Sequence, residues 1–197
     1  MKYESPNSEH EILPNKLELT NLKEIGREEY RGFLRAEIKF ESELEQINEY
    51  DWMLICTIHK TALGHLYDFA GKLRSVNISK GGFLFPAAQH LDAAIKKFEQ
   101  DFLKTIPKQI SDIDTLINIT APIHAELLFI HPFREGNGRT IRFFTNLIAL
   151  KHGFDRFNFE WILENRMNDY IAGVQAAADK NYEPMISVFR NFGQQES

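Results

Sequence analysis

The stretch that follows Ser111 and Asp112 constrains the fold most. It is strongly apolar through Ile117, Leu127, Leu128 and Phe129, and it stops abruptly at Pro132. A helix so poor in polar surface must be central and buried on most sides. Such a helix needs covering, and the rest of the chain offers helices to cover it. From Asn21 to about Asn48 the sequence is highly charged, but Phe33 with Phe40, and Leu34 with Ile38 and Glu41, recur at helical steps. That spacing predicts one or two amphipathic helices. Asp51 suits the N-cap of a helix through Trp52, Ile55, Cys56, His59 and Leu63 to about Tyr67. Pro86 suits the first turn of another, with Leu91, Ala94, Ile95, Phe98 and Phe102 on one face and Pro107 ending it. A helix from about Asn137 to Lys151 should stop near Gly153. Asn158 can cap one from Phe159 through Ala178, and Pro184 opens a last short one.

One segment breaks the helical pattern. In Lys72–Phe85, Val76 and Ile78 alternate with polar residues, Gly81-Gly82 supplies the positive φ of a tight turn, and Phe83-Leu84-Phe85 returns. This predicts a short β-hairpin. Strands and helices do not alternate, so no Rossmann-type sheet is expected. The fold class is all-α with one hairpin. Residues 1–16, with Pro6 and Pro14, read as an irregular arm, and 17–197 as a single domain.

Composition narrows the function classes. Of 197 residues, 43% are hydrophobic and sixteen are Phe, enough for a sizeable core without disulfides or structural metal. The single Cys56 excludes an intrachain disulfide and any Cys-based zinc site, and its apolar context suggests a buried thiol. A net charge of -5 argues against general attachment to nucleic acid or acidic lipid. The first residues lack the apolar core of a signal peptide, and no run approaches the length of a membrane span. A cytoplasmic protein, with no membrane and no direct nucleic-acid partner, is the expectation.

Chemistry concentrates in His131-Pro-Phe-Arg-Glu-Gly-Asn-Gly-Arg-Thr-Ile-Arg142. Gly136-Asn137-Gly138 lets successive N–H groups face one concavity, and the following helix adds its N-terminus, which together make an anion nest. Arg139 and Arg142, three apart, project from one side of that helix and can grip a polyphosphate. Glu135 is a hard carboxylate beside the nest, as Mg²⁺ on a nucleotide requires. His131 is the side chain suited to take a proton from an attacking hydroxyl near neutral pH. These parts describe transfer onto a hydroxyl from a Mg²⁺-bound nucleotide.

This twelve-residue stretch matches the signature of Fic domain proteins without departure. Gly64–Arg74 resembles the family's helix before its flap, and Asn77–Phe85 resembles the flap hairpin. The resemblance covers roughly residues 13–190. It implies a helical Fic core over 17–197 and transfer of AMP from ATP to a Ser, Thr or Tyr hydroxyl of a target protein, releasing pyrophosphate. It implies His131 as base and Glu135 as Mg²⁺ ligand. Gly136, Asn137 and Gly138 would bind the nucleotide's phosphates, Arg139 and Arg142 its outer ones, and Phe133 would anchor the loop. The flap residues Ser79, Lys80, Gly81, Gly82, Phe83, Leu84 and Phe85 would pair with an extended stretch of target. Relatives on the same scaffold phosphorylate, or transfer UMP, GMP or phosphocholine. Gly138 argues against the kinase-like branch, where that position resembles Lys.

Fic proteins of this kind are commonly silenced by a helix carrying Ser/Thr-x-x-x-Glu-Gly/Asn, whose Glu pairs with the second motif Arg, here Arg142. Thr20–Glu24 has the spacing but is followed by Ile25, and Ser187–Asn191 has Asn where Glu is needed. The incomplete matches favour a separate small antitoxin-like inhibitor, and a toxin as the chain's role; the alternatives are a cis-acting inhibitor of divergent sequence, or a non-catalytic module that only binds its target. Among the remaining residues, His124 is expected to be packed or hydrogen-bonded, Tyr67 and Asp68 to shape the flap's base, and His10, His152 and Glu41–Glu49 to be solvated. Lys80 is read evenly as a solvated turn residue or as one that reaches nucleotide or target.

Overall fold

The computed structural model describes residues 12–191. Ahead of the first helix, residues 12–16 have no regular structure, yet Leu13 is already buried in the core and the Lys16 N–H reaches the Leu66 carbonyl. The rest of the expected arm, and His10, lie outside the described residues.

The helices follow the apolar periodicity closely. α1 (Leu22–Ser42) is capped by the Asn21 side chain and buries Ile25, Glu29, Phe33, Ala36 and Phe40 along one stripe. α2 (Trp52–Leu63) is capped by Asp51, whose carboxylate accepts from the Leu54 N–H at 2.7 Å. α3 (Leu91–Asp101) buries Leu91, Ile95 and Phe98. α4 (Ile113–Ile130), capped by Asp112, is the central helix, packed by α3, α5 (Asn137–Lys151), α7 (Met167–Ala176) and α8 (Glu183–Arg190). α4 is also long and apolar enough to cross a membrane, contrary to the sequence expectation, but most of it is buried against these neighbours. The hairpin pairs β1 (Ser79–Lys80) with β2 (Phe83–Leu84), Ser79 opposite Leu84 and Lys80 opposite Phe83. Gly81 and Gly82 both have positive φ, +56° and +81°, which the two-residue turn requires.

Several boundaries differ from expectation. α2 ends at Leu63, and Gly64–Arg74 is a run of turns rather than a helix. The chain leaves the helix so that Tyr67 can reach Glu29 and the Gly71 N–H can reach His59. Pro86 precedes a 3₁₀ turn at Ala88–His90 instead of opening α3, and its carbonyl is engaged by Arg74. α3 ends at Asp101, six residues before Pro107, in a 3₁₀ turn at Leu103–Thr105. The helix expected over 159–178 breaks at Arg166, whose φ of -132° is non-helical, into α6 (Phe159–Asn165) and α7. The break lets Ile162 and Tyr170 both reach the core. Cys56 is only partly buried, although its surroundings push the thiol pKa up to about 12. His152 is not simply solvated: it stacks on Tyr50. Glu41 and Glu45 pair with Arg156 and Lys151.

Candidate active site

The site lies where α4 stops and α5 starts. His131 is the C-cap of α4 and sits in the left-handed region, φ +50°, a strained conformation for a side chain of its size. The strain turns its ring out of the helix and under the flap, where it stacks on Phe85 with centroids 4.0 Å apart. Nδ1 lies 3.1 Å from the Leu128 carbonyl. A carbonyl only accepts, so Nδ1 carries the proton and Nε2 is left as the basic nitrogen. Burial lowers the His131 pKa to about 4, and the charges of Arg74 and Lys80 add to this. The ring is therefore neutral at physiological pH. Lys80 itself is exposed at the turn end of β1.

The loop after His131 is held from three sides. Phe133 is fully buried, stacked on His59 at 3.9 Å and Trp52 at 5.4 Å. Asn137 uses both ends of its amide on Phe133: Oδ1 accepts from the Phe133 N–H at 2.8 Å, and Nδ2 donates to its carbonyl at 2.7 Å. What Asn137 offers a phosphate is its backbone N–H alone. His59 accepts from the Gly71 N–H at Nδ1 and donates from Nε2 to the Glu135 carbonyl, both at 2.8 Å. Burial drives its pKa down to about 4. Gly136 has φ +77°, and a Cβ there would come 2.6 Å from Leu63 Cδ1, so any other residue would be strained and would push Leu63 aside.

The first turn of α5 presents the N–H groups of Asn137, Gly138 and Arg139. None has a partner among the described residues, since the helix's first backbone bond is Thr140 N–H to Gly136. They mark the positive end of a 15-residue helix. Gly138 makes room for Arg142, whose Nη1 would lie 3.0 Å from a Cβ at 138. The Glu135 carboxylate accepts from the Gly136 N–H at 2.8 Å and lies 3.4 Å from Arg139. It is half-exposed. Among the described residues no cluster of three metal-ligating side chains exists. One carboxylate beside free N–H groups fits a Mg²⁺ carried in on phosphates and water, rather than a metal caged by protein.

Two residues escaped the sequence reading. Glu29 of α1, almost fully buried, accepts from the Tyr67 hydroxyl at 2.7 Å and from Arg139 at 2.8 Å. The Tyr67 hydroxyl thus joins the cluster of Glu29 and Arg139. The visible signal was a carboxylate on the stripe Ile25–Glu29–Phe33, where an apolar residue belongs. His59 left a similar mark on the buried face of α2. His124 is packed as expected: Thr145 donates to the Ile141 carbonyl and receives from His124 Nδ1, while Nε2 receives from Tyr170.

A model of the Fic/DOC family matches residues 50–149, just over half of the chain, including the segment from His131 to Arg142 but not Glu29 of α1. The chain belongs to the Fic/DOC family. It is 29% identical to the protein adenylyltransferase Fic of Nematostella vectensis over 72% of this chain and 31% of that protein. It is 26% identical to a protein adenylyltransferase of Bartonella henselae, over 95% of this chain and 38% of that protein. The chain thus spans about a third of the length of these curated relatives. Its fold is that of the N-terminal Fic domain of a VirB-translocated effector from Bartonella quintana, solved with bound ADP. That match has a TM-score of 0.72 and 23% identity, and covers 91% of this chain and 89% of that one. The Fic fold expected from the sequence is the fold observed.

Proposed function

We propose that this Fic chain transfers AMP from ATP to a Ser, Thr or Tyr hydroxyl of a target protein. The observation that carries the reading is His131, whose Nδ1 faces the Leu128 carbonyl and leaves Nε2 as the basic nitrogen, joined by one short loop to the three unpaired N–H groups and the two arginines of α5. The names of its curated relatives and the ADP in its structural neighbour support a nucleotide as the donor.

In this reading the target hydroxyl oxygen attacks the α-phosphorus. His131 Nε2 takes the hydroxyl proton, and the bond from the α-phosphorus to the bridging oxygen breaks to release pyrophosphate. The N–H groups of α5 face the phosphates, and Arg139 and Arg142 hold the outer ones. Glu135 would hold Mg²⁺, which supplies charge neutralisation on the phosphate oxygens. The flap would add an edge to an extended target segment; Leu84 there is 72% exposed. ATP labelled at the α or γ position, added with bacterial lysate, tests this. Label from α into protein supports AMP transfer, γ-label alone would make the chain a kinase, and no label would reject transfer.

A cytoplasmic toxin held by a small antitoxin-like partner extends the proposal. Exposed Tyr30, Leu34 and Ile38 form a stripe at four-residue steps along α1. Tyr30 and Leu34 line a groove of about 580 Å³ whose walls also include Arg139 and Arg142. A partner helix laid there could bring a Glu to Arg142.

A further inference from the structure

Arg74 is almost fully buried, and no carboxylate pairs with it among the described residues. Its guanidinium is spent on carbonyls. Nε donates to His131 O at 2.8 Å, Nη1 to Val76 O at 2.7 Å, and Nη2 to Pro86 O at 2.6 Å and to Ile130 O at 3.4 Å. Its own N–H donates to Pro132 O at 2.9 Å. Ile130 and His131 end α4, where carbonyls lack helical partners and a cation is favoured. Val76 and Pro86 are the two feet of the flap, one three residues before β1 and the other two after β2. Asn77 closes the feet on each other by accepting from the Ala88 N–H at 2.8 Å.

One planar group therefore sets the distance between the flap and the residue that carries the imidazole. We propose that Arg74 is a positioning residue that fixes the target-binding edge of the hairpin relative to His131. It touches neither phosphate nor the attacking oxygen. It acts through the carbonyl of His131, which keeps that residue in its left-handed conformation, and through both feet of the strand pair. Burial lowers the Arg74 pKa to about 10, so it stays charged at neutral pH. Lysine cannot replace it, since an ammonium is a point donor without the rigid fork needed to span carbonyls on three segments. The inference rests on the proposed roles of His131 and the flap.

Arg74→Lys is the informative variant, because Arg74→Ala bares four carbonyls and endangers the fold. Three measurements on the full chain are compared: affinity for a fluorescent ATP analogue, transfer of α-label into lysate proteins, and amide exchange. The variant should bind the analogue within about threefold of the parent and lose roughly 10–100-fold in transfer, the scale of a misplacement near 1 Å. Exchange at Ser79–Phe85 should rise at least about tenfold while α5 is unchanged. Unchanged flap exchange, or equal losses in affinity and transfer, would overturn the proposal. The unmutated chain gives a second check. The amides of Arg74 and Phe85, which bond Pro132 and Ile78, should exchange at similar rates. A gap of about a hundredfold would mean that flap and loop open independently. If the parent transfers no label but the exchange results hold, the proposed reaction fails and the tether stands.

Discussion

Replacing Asn137 with Ala separates two roles for the motif's asparagine. In the structure Asn137 is 3% exposed, and both side-chain hydrogen bonds go to the backbone of Phe133. Removing the amide leaves a buried N–H and a buried carbonyl without partners, each costing about 1–3 kcal/mol, so a loss near 3 kcal/mol is expected with no nucleotide present. For a chain of this length that lowers Tm by roughly 6–12 °C. Calorimetry of the nucleotide-free protein is the assay. Asn137→Asp sharpens it, because the new oxygen would face the Phe133 carbonyl that Nδ2 now serves. That variant should also be destabilised at neutral pH and recover part of the loss in acid, where a protonated carboxyl can donate again. If Tm of Asn137→Ala falls by less than about 2 °C while ATP affinity drops tenfold or more, the side chain binds phosphate and the loop is held by other means.

Other perturbations test the remaining parts of the site. His131→Ala should cost about 10²–10⁴-fold in transfer and leave ATP affinity nearly unchanged, measured by single-turnover labelling and titration. Glu135→Gln should shift the Mg²⁺ titration of transfer to higher concentration, and superimposed curves would remove Glu135 as ligand. With the His131 pKa near 4, the acid limb of kcat/KM should lie near that pH, and a limb at 6.5 would mean that another base is used. His59, lowered from 6.5 to about 4, binds more protons when unfolded between those values. Its contribution, about 3 kcal/mol, is therefore complete above pH 6.5 and lost as pH falls towards 4, as chemical denaturation across that range would show.

The sequence carried the helical frame because burial writes itself as spacing. Leu91, Ile95 and Phe98, or the apolar run of α4, could belong to nothing else. Caps at Asp51 and Asn158 were legible for the same local reason, one side-chain oxygen meeting an N–H three residues on, and of Ser111 and Asp112 the structure uses Asp112 in the same way. The turn at Gly81-Gly82 was written in its glycines. The run Gly64–Arg74 was harder to read. Its conformation answers distant partners, Glu29 for Tyr67 and the end of α4 for Arg74, and no local periodicity encodes them. The break at Arg166 is hidden likewise, since both halves are good helix and only the core decides where the chain must turn. Polar residues on apolar stripes, Glu29 and His59, were the readable trace of the site's supports.

Those supports explain how one short segment can be both rigid and anion-seeking. The free N–H groups, Arg139 and Arg142 all place positive charge on one rim, which would repel itself if nothing answered it. Glu29 answers it from α1, and Glu135 from the loop, both through Arg139. Arg139 also lies over the Phe33 ring, 4.9 Å from its centre. A polyphosphate arriving at α5 must therefore compete with Glu29 for Arg139, whereas among the described residues no carboxylate lies within ion-pair reach of Arg142. The two arginines are unequal before any ligand binds. Arg139 is a placed group whose charge is already shared. Arg142 keeps its full charge for whatever anion reaches the groove, whether the outer phosphate of a nucleotide or a carboxylate that would exclude it.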